Sequence, residues 1–278
     1  MGGNKLRALE FLLGGVRAGD HVVTVGARGS THALATAVHA RQLGARVTVA
    51  RWNQVMNPAA RIVDAKLRAV ADIVDARVVI GAYAVAFARR MLGARWLPAG
   101  GACPLGVLGH VNAGLELSGQ IERGECELPE VVFVPLGTAG TAAGLALGFR
   151  LAGLGIHVVG VRVVPRIVAN HRRLLRLADS TAALIEHHTG RRAPRVQRGD
   201  VSIAHGFYAG AYGRPLAQPP LAEELLAPLG VRLDDTYSRK AFGAAASGRH
   251  HRALVWLTFD GRLLQNEISN ASISAEHS

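Results

Sequence analysis

Short apolar runs alternate with longer amphipathic stretches along this 278-residue chain. The runs His21–Val25, Val47–Arg51, Arg95–Pro98, Val131–Pro135, Val158–Val163 and Leu254–Leu257 are brief, and most are rich in valine. Their nearly continuous apolar character is that of strands buried on both faces. The stretches between them predict helices near Lys5–Arg17, Thr31–Leu43, Pro58–Val70, Ala82–Leu92, Gly106–Gln120, Thr141–Ala152, Ile167–His187, Leu221–Ala227 and Arg239–Ser247. This βαβα rhythm predicts an α/β fold with parallel, doubly wound sheets. Three strands run straight into small residues and then a helix, at Gly26–Ser30, Pro98–Cys103 and Leu136–Thr141. Ligands in open α/β sheets bind at the carboxyl ends of strands, so the three turns predict one site built from several loops.

Composition narrows the function classes. Hydrophobic residues make up 49% of the chain, enough for a sizeable core. The formal charge of +12 comes mostly from arginine, because lysine occurs only at positions 5, 66 and 240. The basic residues form small clusters (Arg172-Arg173, Arg191-Arg192, Arg249 to Arg252) without interleaved aromatics. That pattern disfavours a nucleic-acid surface and predicts a mild attraction for anionic substrates or cofactors. Cys103 and Cys126 make neither a disulfide framework nor a metal motif. No apolar run approaches the roughly 18–20 residues of a membrane span, and the start lacks a basic, then apolar, leader. A cytoplasmic protein without metal is expected.

The best anion-binding candidate is the turn from Val131 to Leu145, which reads strand, glycine-threonine loop, helix. Backbone N–H groups and the helix dipole there favour an anion, held by Gly137, Thr138, Ala139, Gly140 and Thr141. No lysine follows as in a Walker A loop, and Gly-x-Gly-x-x-Gly is missing, which disfavours a dinucleotide oxidoreductase. Gly144 is expected to serve helix packing.

Lys5 lies in Gly2-Gly-Asn-Lys-Leu-Arg-Ala-Leu-Glu10. This segment resembles the lysine motif of the pyridoxal 5′-phosphate (PLP)-dependent D-cysteine desulfhydrase / 1-aminocyclopropane-1-carboxylate (ACC) deaminase family. The resemblance continues in order through Gly26 to His32, Pro98 to His110, Gly137 to Thr141, Tyr208 to Gly213, Leu233 to Ala241 and Val255 to Asp260. It implies a two-domain fold type II enzyme of the tryptophan synthase beta-like class, with each domain a mostly parallel sheet flanked by helices. Residues 1–19 and 119–278 would form the large, cofactor-binding domain, and residues 20–118 a small domain inserted in it.

The resemblance also implies roles. Lys5 holds PLP as a Schiff base and later moves the Cα proton, which demands an amine that can be neutral near pH 7. Ser30, Thr31, His32, Gly101 and Ser238 face the substrate, and Tyr212 and Tyr237 offer phenols to the leaving group. Thr31 also contacts the cofactor, and Thr258 gives the pyridine nitrogen a hydroxyl partner, a weaker electron sink than a carboxylate partner would produce. The chain departs from the family at several positions. Thr31 stands where the family has asparagine, Gly29 replaces glutamine, Ala102 a serine and His110 a tyrosine. Members also carry about fifty residues, including a strand, ahead of the lysine motif, so an open sheet edge is expected here.

The expected activity is D-cysteine desulfhydrase-type β-elimination giving pyruvate, ammonia and sulfide, in a homodimer. ACC deaminase is the alternative, and a hydroxyl residue at Ser238 tilts toward the desulfhydrases. A truncated, non-catalytic homologue and a basic nucleic-acid-binding protein are the remaining rivals.

Overall fold

The computed structural model describes residues 3–216, 226, 228, 231, 233–248 and 250–259. Two four-stranded sheets, all of whose strand pairings are parallel, organise the chain. The first has the order β3-β2-β1-β4, formed by β1 (His21–Ala27), β2 (Arg46–Trp52), β3 (Asp72–Arg77) and β4 (Arg95–Leu97). The second has the order β7-β6-β5-β8, formed by β5 (Val131–Leu136), β6 (His157–Arg162), β7 (Val201–Ala204) and β8 (Ala253–Val255). The helices are α1 (Lys5–Leu12), α2 (Thr31–Gln42), α3 (Pro58–Val70), α4 (Val79–Met91), α5 (Pro104–Glu122), α6 (Gly140–Leu151), α7 (His171–Thr189) and α8 (Ser238–Ser247). Apart from Leu226, the helix expected over Leu221–Ala227 falls outside the described residues.

Local chemistry sets these boundaries. Ser30, Asn57 and Asn170 cap α2, α3 and α7 by accepting the N–H groups of Ala33, Ala60 and Arg173. Pro58 and Pro104 occupy the first turns of α3 and α5, where a missing N–H costs nothing. The pattern of valine runs did not reveal β3 or β7. Both are edge strands, and their burial is incomplete and broken by polar positions, so neither reads as a continuous apolar run. α1 is also shorter than expected, ending at Leu12 before a turn through Gly14 and Gly15.

Side-chain alternation buries both faces of each sheet. In the first sheet Val22, Val47 and Val49 pack with Leu9 and Leu13 of the α1 segment and Leu34 and Leu67 of α2 and α3. Val23, Val25 and Ala50 face the other way, onto Ala82 and Ala86 of α4. In the second sheet Val132, Val134 and Val158 meet α5, α6 and α7 through residues such as Val111, Leu145 and Leu174. Val131, Phe133 and Val161 pack on Ala241 and Ala244 of α8.

Glycines let the central helices come close. A β-carbon on Gly109 of α5 would overlap the backbone of Arg7 in α1, and one on Gly144 of α6 would meet His110. Gly114 and Gly148 face each other at the same α5–α6 crossing. The residues that start α1 are thus held against α5 and, through it, against the helix that follows the glycine-threonine loop.

Candidate active site

A cavity of about 520 Å³ lies where the loops following β1, β4 and β5 converge. It is within the range typical of small-molecule and cofactor sites. Lys5, at the start of α1, lines it. Burial lowers the pKa of the Lys5 amine, an effect that nearby Asp234 partly opposes. The Lys5 Nζ lies 5.7 Å from the centre of the Tyr237 ring. The preceding residue, Asn4, is buried and donates from Nδ2 to Thr141 Oγ1 at 2.9 Å, while its Oδ1 accepts from Trp256 Nε1 at 3.4 Å. Asn4 therefore ties the lysine to the glycine-threonine loop.

That loop, Gly137 to Thr141, lines the same cavity. Ala139 has φ +74°, a left-handed conformation uncommon for a residue with a side chain, and it leads directly into α6. No side chain caps α6, so its first N–H groups and the Thr138 and Thr141 hydroxyls are available to an anion. Gly100 also has positive φ, and a β-carbon there would strike the Thr138 side chain, so the loop after β4 closes tightly on the anion loop.

Ser30 and Thr31 line the cavity from the start of α2. Tyr212 and Tyr237 approach from the far side of the sequence, and their hydroxyls hydrogen-bond each other. The Thr31 side chain also acts on the Tyr237 phenol and slightly tempers the rise that burial gives it. Burial pushes Tyr237 up to about 12 and Tyr212 well above the ordinary tyrosine value, so both phenols keep their protons. Asp234 positions Tyr237 by accepting the N–H groups of Thr236, Tyr237 and Ser238 at 2.8–3.0 Å. Thr258, just beyond β8, is buried and lines the cavity.

Of the residues singled out from the sequence, Lys5, Ser30, Thr31, His32, Gly137, Thr138, Ala139, Gly140, Thr141, Tyr212, Tyr237 and Thr258 all line this one cavity. Gly101 and Ser238 do not. Gly101 packs against Ala8, Leu12 and His32, and Ser238 is buried at the start of α8 beside Asp234. Sequence reasoning missed the outer wall, where Trp52, Val79, Tyr83 and Arg173 line the mouth. Among the described residues no group of His, Cys, Asp and Glu could hold a metal, and no helix is long and apolar enough to cross a membrane.

His32 and His110 are buried around Lys5, and burial, followed by the Lys5 charge, holds each at about 3. Both are therefore neutral in the folded chain at pH 7. Below the ordinary histidine value of 6.5 the unfolded chain takes up protons that the folded chain refuses, so stability falls as pH falls toward 3. Moving from pH 6.5 to 5.5 should cost about 1 kcal/mol per histidine. Urea midpoints measured at the two pH values should show this loss, and His110→Gln should reduce it. An unchanged slope in that variant would place the proton uptake elsewhere.

Comparison with known proteins assigns the chemistry. The family described as pyridoxal-phosphate dependent enzyme matches residues 1–252. The chain belongs to the pyridoxal-phosphate dependent enzymes. It is 38% identical over 257 residues to Nocardicin C-9' epimerase of Nocardia uniformis subsp. tsuyamanensis, spanning 87% of this chain and 76% of that protein. It is 31% identical over 262 residues to D-cysteine desulfhydrase of Klebsiella pneumoniae (strain 342), spanning 89% of this chain and 77% of the relative. The crystal structure of an ACC deaminase homologue superposes with a TM-score of 0.74 at 25% identity, covering 95% of this chain and 84% of that one. The fold is thus the fold type II arrangement implied by the sequence, and the cofactor of this enzyme is PLP.

Proposed function

We propose that this enzyme holds PLP through Lys5 and removes the Cα proton of a small amino acid, with β-elimination from D-cysteine to pyruvate, ammonia and sulfide as its reaction. The supporting observation is that a desolvated amine, an uncapped helix start with two threonine hydroxyls, and a protonated tyrosine pair all face one cavity. These groups fit the cofactor. Lys5 suits its aldehyde, Gly137 to Thr141 suit its phosphate, and Thr258 offers a hydroxyl to its ring nitrogen. When bound, PLP supplies the electron sink that acidifies Cα.

The chain's own residues do the rest. Lys5 acts as the base at Cα, and burial favours the neutral amine that this requires. Ser30, with the N–H groups at the start of α2, holds the substrate carboxylate. Tyr237 and Tyr212 keep their protons near neutral pH and donate one to the departing sulfur. We extend this reading to a homodimer in the cytoplasm, with residues 20–118 forming one lobe and residues 1–19 and 119–278 the other. Ser238, outside the cavity, would act through the placement of Tyr237 rather than by touching substrate.

A second reading is epimerisation at Cα, favoured by the 38% identity to an epimerase over most of this chain. The two readings share proton removal and differ in the fate of the deprotonated substrate. With D-cysteine or L-cysteine in heavy water, elimination releases pyruvate, whereas epimerisation returns the amino acid inverted and deuterated at Cα. If neither product forms with the PLP-loaded protein, Cα chemistry on cysteine is ruled out. Tyr237→Phe should lower turnover by about 10²-fold and leave the cofactor absorbance intact, as expected for loss of one proton donor. A Tyr237→Phe protein with full turnover would remove the phenol from the mechanism.

A further inference from the structure

The groups assigned to the reaction are buried or half-buried, whereas Val79, Tyr83 and Arg173, which line the same cavity, are exposed and mark its outer end. At the outer end Trp52, the last residue of β2, stacks on Tyr83 of α4 with ring centres 6.5 Å apart and planes 20° apart. Tyr83 is held in turn edge-on by Trp96 of β4 at 5.9 Å. Tyr83 remains 41% exposed, so part of its ring faces the open mouth. Beneath this pair, Arg51 at the end of β2 is fully buried and bonds Asp64 of α3 and Asp75 of β3, which fixes the strand end that carries Trp52. The aromatic shelf is thus built in, rather than being a loose surface ring.

Arg173, in the first turn of α7, is also exposed. It lines the same cavity, and its charge is felt at Tyr83, where it opposes the rise that burial gives the phenol. Among the described residues no carboxylate pairs with Arg173. Cysteine, whose side chain ends near the reacting carbon, uses neither an apolar shelf nor an available guanidinium, so both are left for a longer side chain. Aromatic rings gain from offset stacking, and a guanidinium binds a carboxylate through two parallel hydrogen bonds.

We infer that the mouth is a substrate subsite for the side chain of an extended amino acid, one that carries an aromatic ring against Trp52 and Tyr83 and a distal carboxylate on Arg173. The inference rests on the Cα-deprotonation reading above and names the substrate class for that same site. Binding energy collected at this distance from the reacting carbon helps to seat Cα at the base.

The test compares cysteine, S-benzylcysteine and S-(4-carboxybenzyl)cysteine, each as both enantiomers, on the PLP-loaded protein. Kd is read from quenching of tryptophan fluorescence, and Cα exchange is followed separately by deuterium uptake. The carboxybenzyl compound should bind about tenfold tighter than the benzyl compound, and the benzyl compound tighter than cysteine. Arg173→Ala should erase the first preference and keep the second. Tyr83→Ala should erase most of the second, and Tyr83→Phe should restore it. Equal Kd values for all three compounds, or preferences that survive both alanine variants, would overturn the inference. Failure of the underlying reading shows differently, as no Cα exchange with any compound whatever the order of Kd values.

Discussion

Lys5→Ala is expected to abolish the covalent cofactor absorbance and to lower turnover by about 10³-fold or more, as for loss of an essential nucleophile and base. Position decides between the lysines as much as chemistry does. Among the three, Lys240 also has a depressed value, at about 8, and its side chain is fully buried. Yet Lys240 donates to the Tyr208 carbonyl at 3.4 Å and does not line the cavity, whereas Lys5 does. Lys240→Ala should therefore leave the band in any sample that folds. Because burial lowers the Lys5 value, cofactor attachment to the unloaded chain should speed up with pH and level off below the usual lysine value of 10.5. Reduction with borohydride and then peptide mapping locates the modified lysine directly. A band of full strength in Lys5→Ala, or a label on Lys240 or Lys66, would refute the assignment.

The fold was legible where strands are buried on both faces, because such strands must be apolar throughout. β5, expected over Val131–Pro135, spans Val131–Leu136, and β1 and β2 likewise enclose the expected runs. Asp72–Arg77 and Val201–Ala204 are incompletely buried and broken by polar positions, so they gave no such signal, whereas the edge strands β4 and β8 fall at expected apolar runs. The inner site was legible through ordered motifs, three of them at strand-to-helix turns. Contacts between distant positions were not: nothing in either tyrosine's surroundings in the sequence shows that Tyr212 and Tyr237 share a hydrogen bond. Ser238 shows the limit of reading by adjacency, since it comes directly after Tyr237 in the chain but enters α8 and turns toward Asp234. The mouth was invisible for a similar reason. Trp52, Tyr83 and Arg173 come from a strand end and two helices, and each alone reads as an ordinary amphipathic residue.

Gly109→Ala should destabilise the protein by about 3 kcal/mol and also weaken cofactor binding. Its added β-carbon would overlap the Arg7 carbonyl and crowd the Ala8 N–H, so the obstacle is backbone and cannot rotate away as a side chain would. α1 must then lift from α5. Asn4 and Lys5 ride on that helix, and its displacement loosens both the lysine and the Asn4 bond to Thr141. Gly119→Ala, on the same α5, supplies the control, since its β-carbon would meet only the flexible end of Arg123. That substitution should be neutral or stabilising by up to about 1 kcal/mol, the intrinsic preference of a helix for alanine over glycine. Denaturation midpoints with and without PLP measure both effects. The Gly109 variant should lose stability in each state and gain less from PLP than the parent does, because ligand stabilisation scales with affinity. Equal midpoints for the two variants would mean that α1 does not cross α5 at Gly109, and the placement of Lys5 would lose its structural basis.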